Sequence, residues 1–510
     1  MESLKNGTFP FYIDSDALNN YGYATKWFYP DLLLLPFAVL GNLASISFAY
    51  KALIFSLPVL AGIFTFLSVK RIDNNAFTAM LAGLLYAFCA YFIQNLFTRS
   101  AIGEALAMTF IPLVFGGLYE IIKGDCRKWY IFSIGVSLIA FSHVLSLFLV
   151  CLVSLVFVAI CCKSFFREKE RFLYLIISGI TTLLITGYFI YPMLEQLFSN
   201  TFYYQIHTYR SPTENAQSLA SIIGCLSIDY IHPPYYFNPK FGTLLLLGAF
   251  LRFFVKGKSK SKTVRLADSF LIISILLFFC CTNIVSWNTF PLSSIDFVQF
   301  PWRLLIFTSF MLAVADACYL SLIVKNTQTK ITVLAYLFFL LLGSVGIDSF
   351  NFKKRSQPIS VVWEKINNEN PYNQGGKEYI PAKVPATNYP VCDYETRGDK
   401  IDTKYAATGI SNFNRQNGVT SFSITPAGTD ETAELPLFYY KGYTARLNGK
   451  DIPVQESEHG LVKIPVQEAG HVEVYYGGTT LQKVSPFISI LGILALTAYI
   501  IVYKRKKKHA

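Results

Sequence analysis

The sequence predicts an all-α polytopic membrane protein of about eleven spans, with a β-sandwich domain outside the membrane near the C-terminus and a final anchor helix. Three observations predict it. Of the 510 residues, 53% are hydrophobic and 16% aromatic, while only 15% are charged, against about a quarter in soluble chains. The apolar residues gather into runs of the length a hydrocarbon core requires. One segment, 349–483, breaks this pattern with alternating apolar and polar residues.

The apolar runs fall at 31–47, 51–69, 76–96, 103–122, 129–145, 147–163, 172–192, 242–255, 266–286, 302–324, 331–348 and 484–503. Between them, the loops Lys70-Arg71, Lys123 to Lys128, Lys163 to Arg171, Arg252 to Arg265 and Lys325 to Lys330 are basic, as is the tail. The loops 97–102, 141–146, 193–241 and 287–301 hold few Lys or Arg. From residue 51 the two kinds alternate, and basic loops belong to the cytoplasm. The C-terminus is then cytoplasmic and 349–483 extracytoplasmic. Parity leaves 31–47, which contains Pro36, as an interfacial or re-entrant helix on the outer face. The expected domains are therefore 1–50, an outer loop with an interfacial helix; 51–348, the polytopic bundle; 349–483, the β-rich domain; and 484–510, anchor and basic tail.

Charge placement argues against nucleic acid as a partner. The net charge is +12, but Arg252 to Arg265 supplies six basic residues and Lys504 to Lys508 five more, and both runs flank spans, as the positive-inside rule requires. Most of the ten cysteines lie in apolar runs. Cys225 and Cys392 fall outside them and leave one disulfide open, and no CxxC pair supports a zinc or redox site.

In 351–483, fifteen basic residues balance fifteen acidic ones. Val419 to Ile424, Tyr443 to Leu447, Leu461 to Val466 and His471 to Tyr476 alternate in strand fashion, with turn signals at Asn448-Gly449 and Ala469-Gly470. This reads as an antiparallel sandwich of about one hundred residues; 351–404 reads as more irregular.

Ionisable residues in spans are costly and mark functional sites by default. Arg99 and Glu104 stand where one span exits and the next enters. His143 lies at a tight hairpin, Tyr191 and Glu195 end a span, and Gln299 and Arg303, in Gln299-Phe300-Pro301-Trp302-Arg303, begin another. By the loop alternation all seven project to the outer face, which points to a shared cavity. Taken singly, Arg99 and Arg303 also suit snorkelling to headgroups, and Trp302 suits an interface anchor. Asp316 lies mid-span and suits a helix–helix hydrogen bond. The N-terminal Asp14, Asp16 and Asp31 stand among aromatics, which fits carbohydrate or a metal–phosphate site as well as a solvated loop. Tyr203, Tyr204, Tyr230, Tyr235 and Tyr236 fit a cover over a lipid-linked substrate as well as interfacial packing. No GxSxG, P-loop, HExxH or dinucleotide fingerprint is present.

Asn20-Tyr21-Gly22-Tyr23-Ala24, Phe28-Tyr29-Pro30-Asp31, the stretch Arg99 to Leu113, Ser142-His143, Gln299 to Arg303 and Tyr439 to Lys450 together resemble the bacterial membrane proteins labelled 6-pyruvoyl-tetrahydropterin synthase-related, which are similar to YfhO-type proteins and, more distantly, to GT-C glycosyltransferases. The pterin label implies no chemistry here, because the six histidines, at 143, 207, 232, 459, 471 and 509, are scattered. The resemblance implies a GT-C-like helical bundle. It also implies transfer of a sugar, with inversion, from a polyprenyl-phosphate carrier to a cell-envelope glycan or polymer at the outer face. A loop carboxylate would act as base or help hold a divalent cation, the one cofactor it brings into view; no residue is assigned as a metal ligand. The catalytic candidates are Asp14, Asp16 and Glu104; Arg99, His143, Tyr191, Glu195, Gln299 and Arg303 would bind substrate. Members of the family begin with a transmembrane helix and an acidic motif, and the expectation is that both are missing ahead of Met1, through a late start or a truncation. Two other readings stay open: a non-enzymatic envelope protein binding glycan through 349–483, and a transporter of a lipid-linked sugar.

Overall fold

The computed structural model describes residues 12–15, 17–206, 211–223, 239–255, 261–355, 378–384, 386–388, 391–392 and 398–509. They fall into two compact units, one drawn from 32–186, 210–356 and 492–510, the other from 1–31, 187–209 and 357–491.

The first unit is helical. A 3-10 turn at Leu32–Leu34 leads into α1 (Leu35–Leu43) and α2 (Ile46–Asp73). The Ser45 hydroxyl caps α2 by accepting the Phe48 N–H at 3.2 Å. Asn74 ends α2 with φ 53°, and the Asn75 side chain accepts the Phe77 N–H at 3.0 Å to start α3 (Ala76–Ala87). This Asn-Asn pair, left-handed cap then N-cap, reverses the chain in the fewest residues. Next come α4 (Ala90–Phe97), α5 (Ile102–Ile122), α6 (Tyr130–Ala140), α7 (Val144–Ile160) and α8 (Lys169–Ser199), whose last turns belong to the other unit. A short helix, Thr243–Ala249, tightens into a 3-10 turn over Phe250–Phe254. It is followed by α9 (Lys262–Cys280), α10 (Leu305–Ile323) and α11 (Thr327–Arg355). The last helix, α12 (Thr480–His509), contributes its C-terminal half.

Among the described residues, seven helices are long and apolar enough to cross a membrane, or eight if the pair α3 and α4, bent by 40°, counts as one. The sequence expectation was about eleven. The apolar run 129–145 ends as a helix at Ala140, and Leu32–Leu43, Val144–Ile160 and Thr243–Phe254 are shorter apolar helices of 10–17 residues. Apolar composition marks burial in lipid or protein; it does not mark where a backbone turns at Phe88-Cys89.

Burial ranks the helices. Pro301–Ile323 is 83% buried and Ile102–Ile122 is 89% buried, whereas Thr327–Ile347 is 6% buried. The first two form the centre of the unit, around Met108, Ile111, Phe307, Phe310 and Met311. The exposed apolar side chains of α11, among them Ile331, Tyr336 and Phe339, are what a lipid-facing helix presents.

The second unit carries two antiparallel sheets. β4 (Gly409–Gln416), β5 (Val419–Thr425), β11 (Gly470–Tyr476), β7 (Tyr443–Leu447) and β8 (Lys450–Ile452) form one, in the order β4-β5-β11-β7-β8. β3 (Asp402–Thr403), β6 (Glu431–Phe438), β10 (Leu461–Val466) and β9 (Gln455–Glu456) form the other, in the order β3-β6-β10-β9. Phe422, Ile424, Ala445, Leu447, Val472 and Val474 from one sheet and Ala433, Leu435, Val462, Ile464 and Val466 from the other share a single core. That is the expected sandwich. Register follows the alternation: Val472 pairs with Phe422 on one side and Leu447 on the other. Asn448 and Gly449 both take positive φ, 51° and 79°, as the tight β7–β8 hairpin demands. A small pair, β1 (Ala386–Asn388) and β2 (Val391–Cys392), stands apart. Cys225, the other half of the open disulfide, lies outside the described residues.

The N-terminal segment belongs to this unit. Asp14 and Tyr23 form an isolated bridge, with N–H to O distances of 3.0 and 2.9 Å. The Tyr21 hydroxyl donates to Gly398 O at 2.9 Å, and Arg415 donates to Asn20 O at 2.6 Å.

Candidate functional site

Five of the sequence candidates meet at one end of the helical unit. Each is delivered by a sharp turn. α4 and α5 are joined by Thr98 to Ala101, where Ser100 takes φ 53°. The Ala101 N–H donates to Asn95 O at 2.9 Å, so the turn folds Arg99 back over the first turn of α5, where Glu104 stands. The second turn is Gln299 to Arg303. Gln299 takes φ 65°, and Pro301 opens a 3-10 turn, Pro301–Leu304, whose ring needs no N–H there. Arg303 is thereby set at the head of α10. The third is Phe141 to His143, which joins α6 to α7.

Glu104 is the centre. Its side chain is 1% exposed, and those of Arg99 and Arg303 are 17% and 7% exposed. Arg99 Nη1 donates to Glu104 Oε2 at 2.5 Å and to Asn95 Oδ1 at 3.3 Å. Arg303 Nε stands 3.9 Å from the same Oε2. The Tyr91 hydroxyl donates to the other oxygen, Oε1. Arg303 Nη1 also donates to Val298 O, and it lies 3.5 Å from Gln299 Oε1. The Phe300 ring faces both guanidiniums, at 5.8 Å from Arg99 and 4.9 Å from Arg303, and stacks on Trp302 at 4.7 Å. Such contacts gain strength away from water.

His143 completes the group. As the N-cap of α7, its Nδ1 accepts the Ser146 N–H at 3.3 Å and lies 2.8 Å from the Ser146 hydroxyl. A nitrogen that accepts a backbone N–H carries no proton, which assigns the neutral tautomer with its proton on Nε2. Nε2 has no hydrogen-bond partner among the described residues. Gly103 fixes how closely this hairpin approaches α5: a Cβ there would stand 2.9 Å from Ser142 O and 3.6 Å from His143 Cδ2.

Among the described residues, two guanidiniums gather on one carboxylate, and such planar forks suit phosphate or carboxylate oxygens. Glu104 accepts from Tyr91 and Arg99 and neighbours Arg303, an arrangement that ties the two arginines to one carboxylate.

The other candidates stand elsewhere. Tyr191 and Glu195 are on the part of α8 that belongs to the second unit. There Glu195 accepts the Thr479 hydroxyl at 2.5 Å and pairs with Lys441 at 3.3 Å. Asp14 engages Tyr23 through its backbone, and Asp31 pairs with Lys26 at 2.9 Å. Asp16, Tyr230, Tyr235 and Tyr236 lie outside the described residues. Tyr203 and Tyr204 donate their N–H groups to Ile380 O and Glu378 O. Among the described residues no group of three His, Cys, Asp or Glu could hold a metal ion, so the divalent cation that the resemblance brings into view has no ligand set there.

Tyr91 and Asn95 were not singled out from the sequence. Their spacing with Arg99, four and four, places all three on one face of α4 and its cap, and that was a readable signal. Phe300 belonged to the quoted motif without a role.

Fold and site together define a multi-pass membrane protein with a buried charge cluster at one end of its helical bundle and a separate sandwich. The chain belongs to the family of the bacterial membrane protein YfhO, whose model matches residues 21–366. An uncharacterized protein of Lactococcus lactis subsp. cremoris (strain MG1363) is 22% identical over 565 residues, covering 98% of this chain and 89% of that protein. Among solved structures, the archaeal oligosaccharyltransferase AglB from Archaeoglobus fulgidus, in complex with an inhibitory peptide and a dolichol-phosphate, matches at 15% identity with a TM-score of 0.32. That match covers 75% of this chain and 56% of the other, and a likeness of this degree carries no argument.

Proposed function

We propose that this protein is a membrane glycosyltransferase that takes a sugar from a polyprenyl-phosphate donor at the outer face and passes it to a cell-envelope glycan or polymer. The observation that carries the reading is the pair of buried guanidiniums, Arg99 and Arg303, gathered on one side by Glu104 and on the other by the Phe300 ring. Guanidinium forks match the oxygens of a donor phosphate. The site's placement supports the outer face. α5 (Ile102–Ile122) carries Glu104 in its first turn, and at its far end Glu120 pairs with Lys128 of a basic loop; the cluster is therefore opposite the basic loops, which the positive-inside rule assigns to the cytoplasm.

In this reading the acceptor hydroxyl attacks the anomeric carbon, the bond from that carbon to the phosphate oxygen breaks, and the phosphate leaves with the electron pair and takes up the hydroxyl proton. Arg99 and Arg303 stabilise the charge that grows on the leaving phosphate. His143 Nε2–H donates to an oxygen of the donor. Glu104 is a positioning residue that holds both arginines. No base is assigned among the described residues.

The test is transfer of a radiolabelled sugar from a synthetic polyprenyl phosphosugar to envelope glycan, in proteoliposomes of the full-length protein. Wild type transfers, and Arg303→Ala loses about 100-fold or more while inserting normally. Equal transfer by wild type and Arg303→Ala, or none by wild type with a panel of donor sugars, contradicts the reading.

A further inference from the structure

A second buried carboxyl lies away from this cluster. Asp316 is on α10, 2% exposed, and neither of its oxygens has a hydrogen-bond partner among the described residues. It stands seven residues before Ile323, roughly 10 Å along the helix. It presses on Gly248, where a Cβ would sit 2.2 Å from Asp316 Oδ2. No side chain fits at that position without moving the acid. Gly248 belongs to the short helix Thr243–Ala249, just before it tightens into the 3-10 turn.

The charged and titratable groups around it are committed to one another. On α10 itself, the Tyr319 hydroxyl donates to Asp268 Oδ1 of α9 at 2.7 Å. Arg252, from the 3-10 turn after the short helix, grips both oxygens of Asp268 at 2.6 and 3.1 Å. Asp73, at the end of α2, accepts the Thr263 hydroxyl at 2.6 Å. Tyr86 of α3 donates to Met108 O at 2.8 Å, and Glu120 of α5 holds Lys128 at 2.9 Å. Cys318 is the remaining titratable neighbour. Among the described residues no cation pairs with Asp316. A lone carboxylate without water or a partner is among the most expensive groups a membrane protein can bury, whereas a neutral acid costs far less and can donate one hydrogen bond.

We propose that Asp316 is an intramembrane proton-binding site: a carboxyl that holds a proton while the Gly248 backbone is seated against it. The ligand is the proton, and the site is independent of the sugar-transfer reading.

The test uses the full-length protein in lipid nanodiscs at neutral pH with N,N′-dicyclohexylcarbodiimide. The acid proton passes to a carbodiimide nitrogen and the carboxyl oxygen bonds to the central carbon; the O-acylisourea rearranges to an N-acylurea with all atoms retained. The expected result is an adduct on the Asp316 peptide by mass spectrometry, falling several-fold in strongly alkaline buffer, and no adduct with a membrane-impermeant carbodiimide. Infrared spectra of the unmodified protein give the second readout. A neutral-acid carbonyl band at neutral pH, shifted by carbon-13 aspartate, is expected, and it needs no variant to fold. Where Asp316→Asn inserts, that band disappears. A spectrum with carboxylate bands alone, or labelling of Asp268 with none on Asp316, would overturn the proposal.

Discussion

Glu104 sits among donors that would repel one another without it. Replacing it by Gln keeps the shape and the contact with Tyr91 but leaves Arg99 and Arg303 buried without their counter-charge. Breaking a buried pair in this way costs about 3 kcal/mol, so Glu104→Gln lowers the unfolding temperature of the protein in detergent; an unchanged temperature would mean that the arginines are neutralised elsewhere. Arg303→Lys keeps the charge but loses the planar fork that spans Val298 O, Gln299 and the Phe300 face. It is expected to insert normally and to lower transfer about tenfold or more, read as turnover per inserted molecule. Arg99, Glu104, His143, Gln299 and Arg303 were legible because charge and polarity at span ends are conspicuous. Tyr91 was readable only through its spacing with Asn95 and Arg99, and its part in the cluster shows once its hydroxyl is seen on the carboxylate.

At the scale of elements, the site depends on three turns and on how closely they pack. Gly103 is the tightest point, so Gly103→Ala pushes a methyl to within 2.9 Å of Ser142 O. The hairpin must shift by a few tenths of an ångström, at a cost of about 1–3 kcal/mol, and His143 shifts with it. The expected outcome is a lowered unfolding temperature together with reduced transfer. In the sandwich, Glu431 at the start of β6 is 1% exposed. Burial pushes its carboxyl up, but the Thr408 hydroxyl and the N–H groups of Thr432, Lys404 and Tyr405 outweigh it and hold the group below its ordinary value. A carboxylate lowered on folding stabilises the fold fully above its unfolded value of 4.5 and loses that contribution as pH falls through the folded value. Hydrogen exchange of β6 amides in the full-length protein is therefore expected to speed up in acid, and Glu431→Gln to remove part of that dependence. The four strands read from alternation, β5, β7, β10 and β11, were legible because one face of each is apolar. β4 and β6 were not: β4 is mostly polar, and Pro436 breaks the pattern of β6. The helix break at Phe88-Cys89 was hidden for the opposite reason, since the chain stays apolar through it.

For the whole molecule, family membership and the apolar helices establish a multi-pass membrane protein. The proposed orientation places 349–483 outside and the basic tail inside. Protease added to intact cells is then expected to cleave within 349–483 and to spare an epitope fused after Ala510; the reverse pattern would invert the site as well. This level was the most legible in the sequence, because hydrocarbon length and loop charge are local properties. The meeting of Arg99 with Arg303, some two hundred residues apart, was legible only as a shared membrane face. Binding of a synthetic polyprenyl phosphate to the full-length protein, read by native mass spectrometry from nanodiscs, tests the central claim most directly. The account predicts a bound lipid phosphate in wild type and an affinity lowered about tenfold or more in Arg99→Ala and in Arg303→Ala, with Glu431→Gln unchanged. Equal binding by wild type and both arginine variants, all inserted and folded, would contradict it.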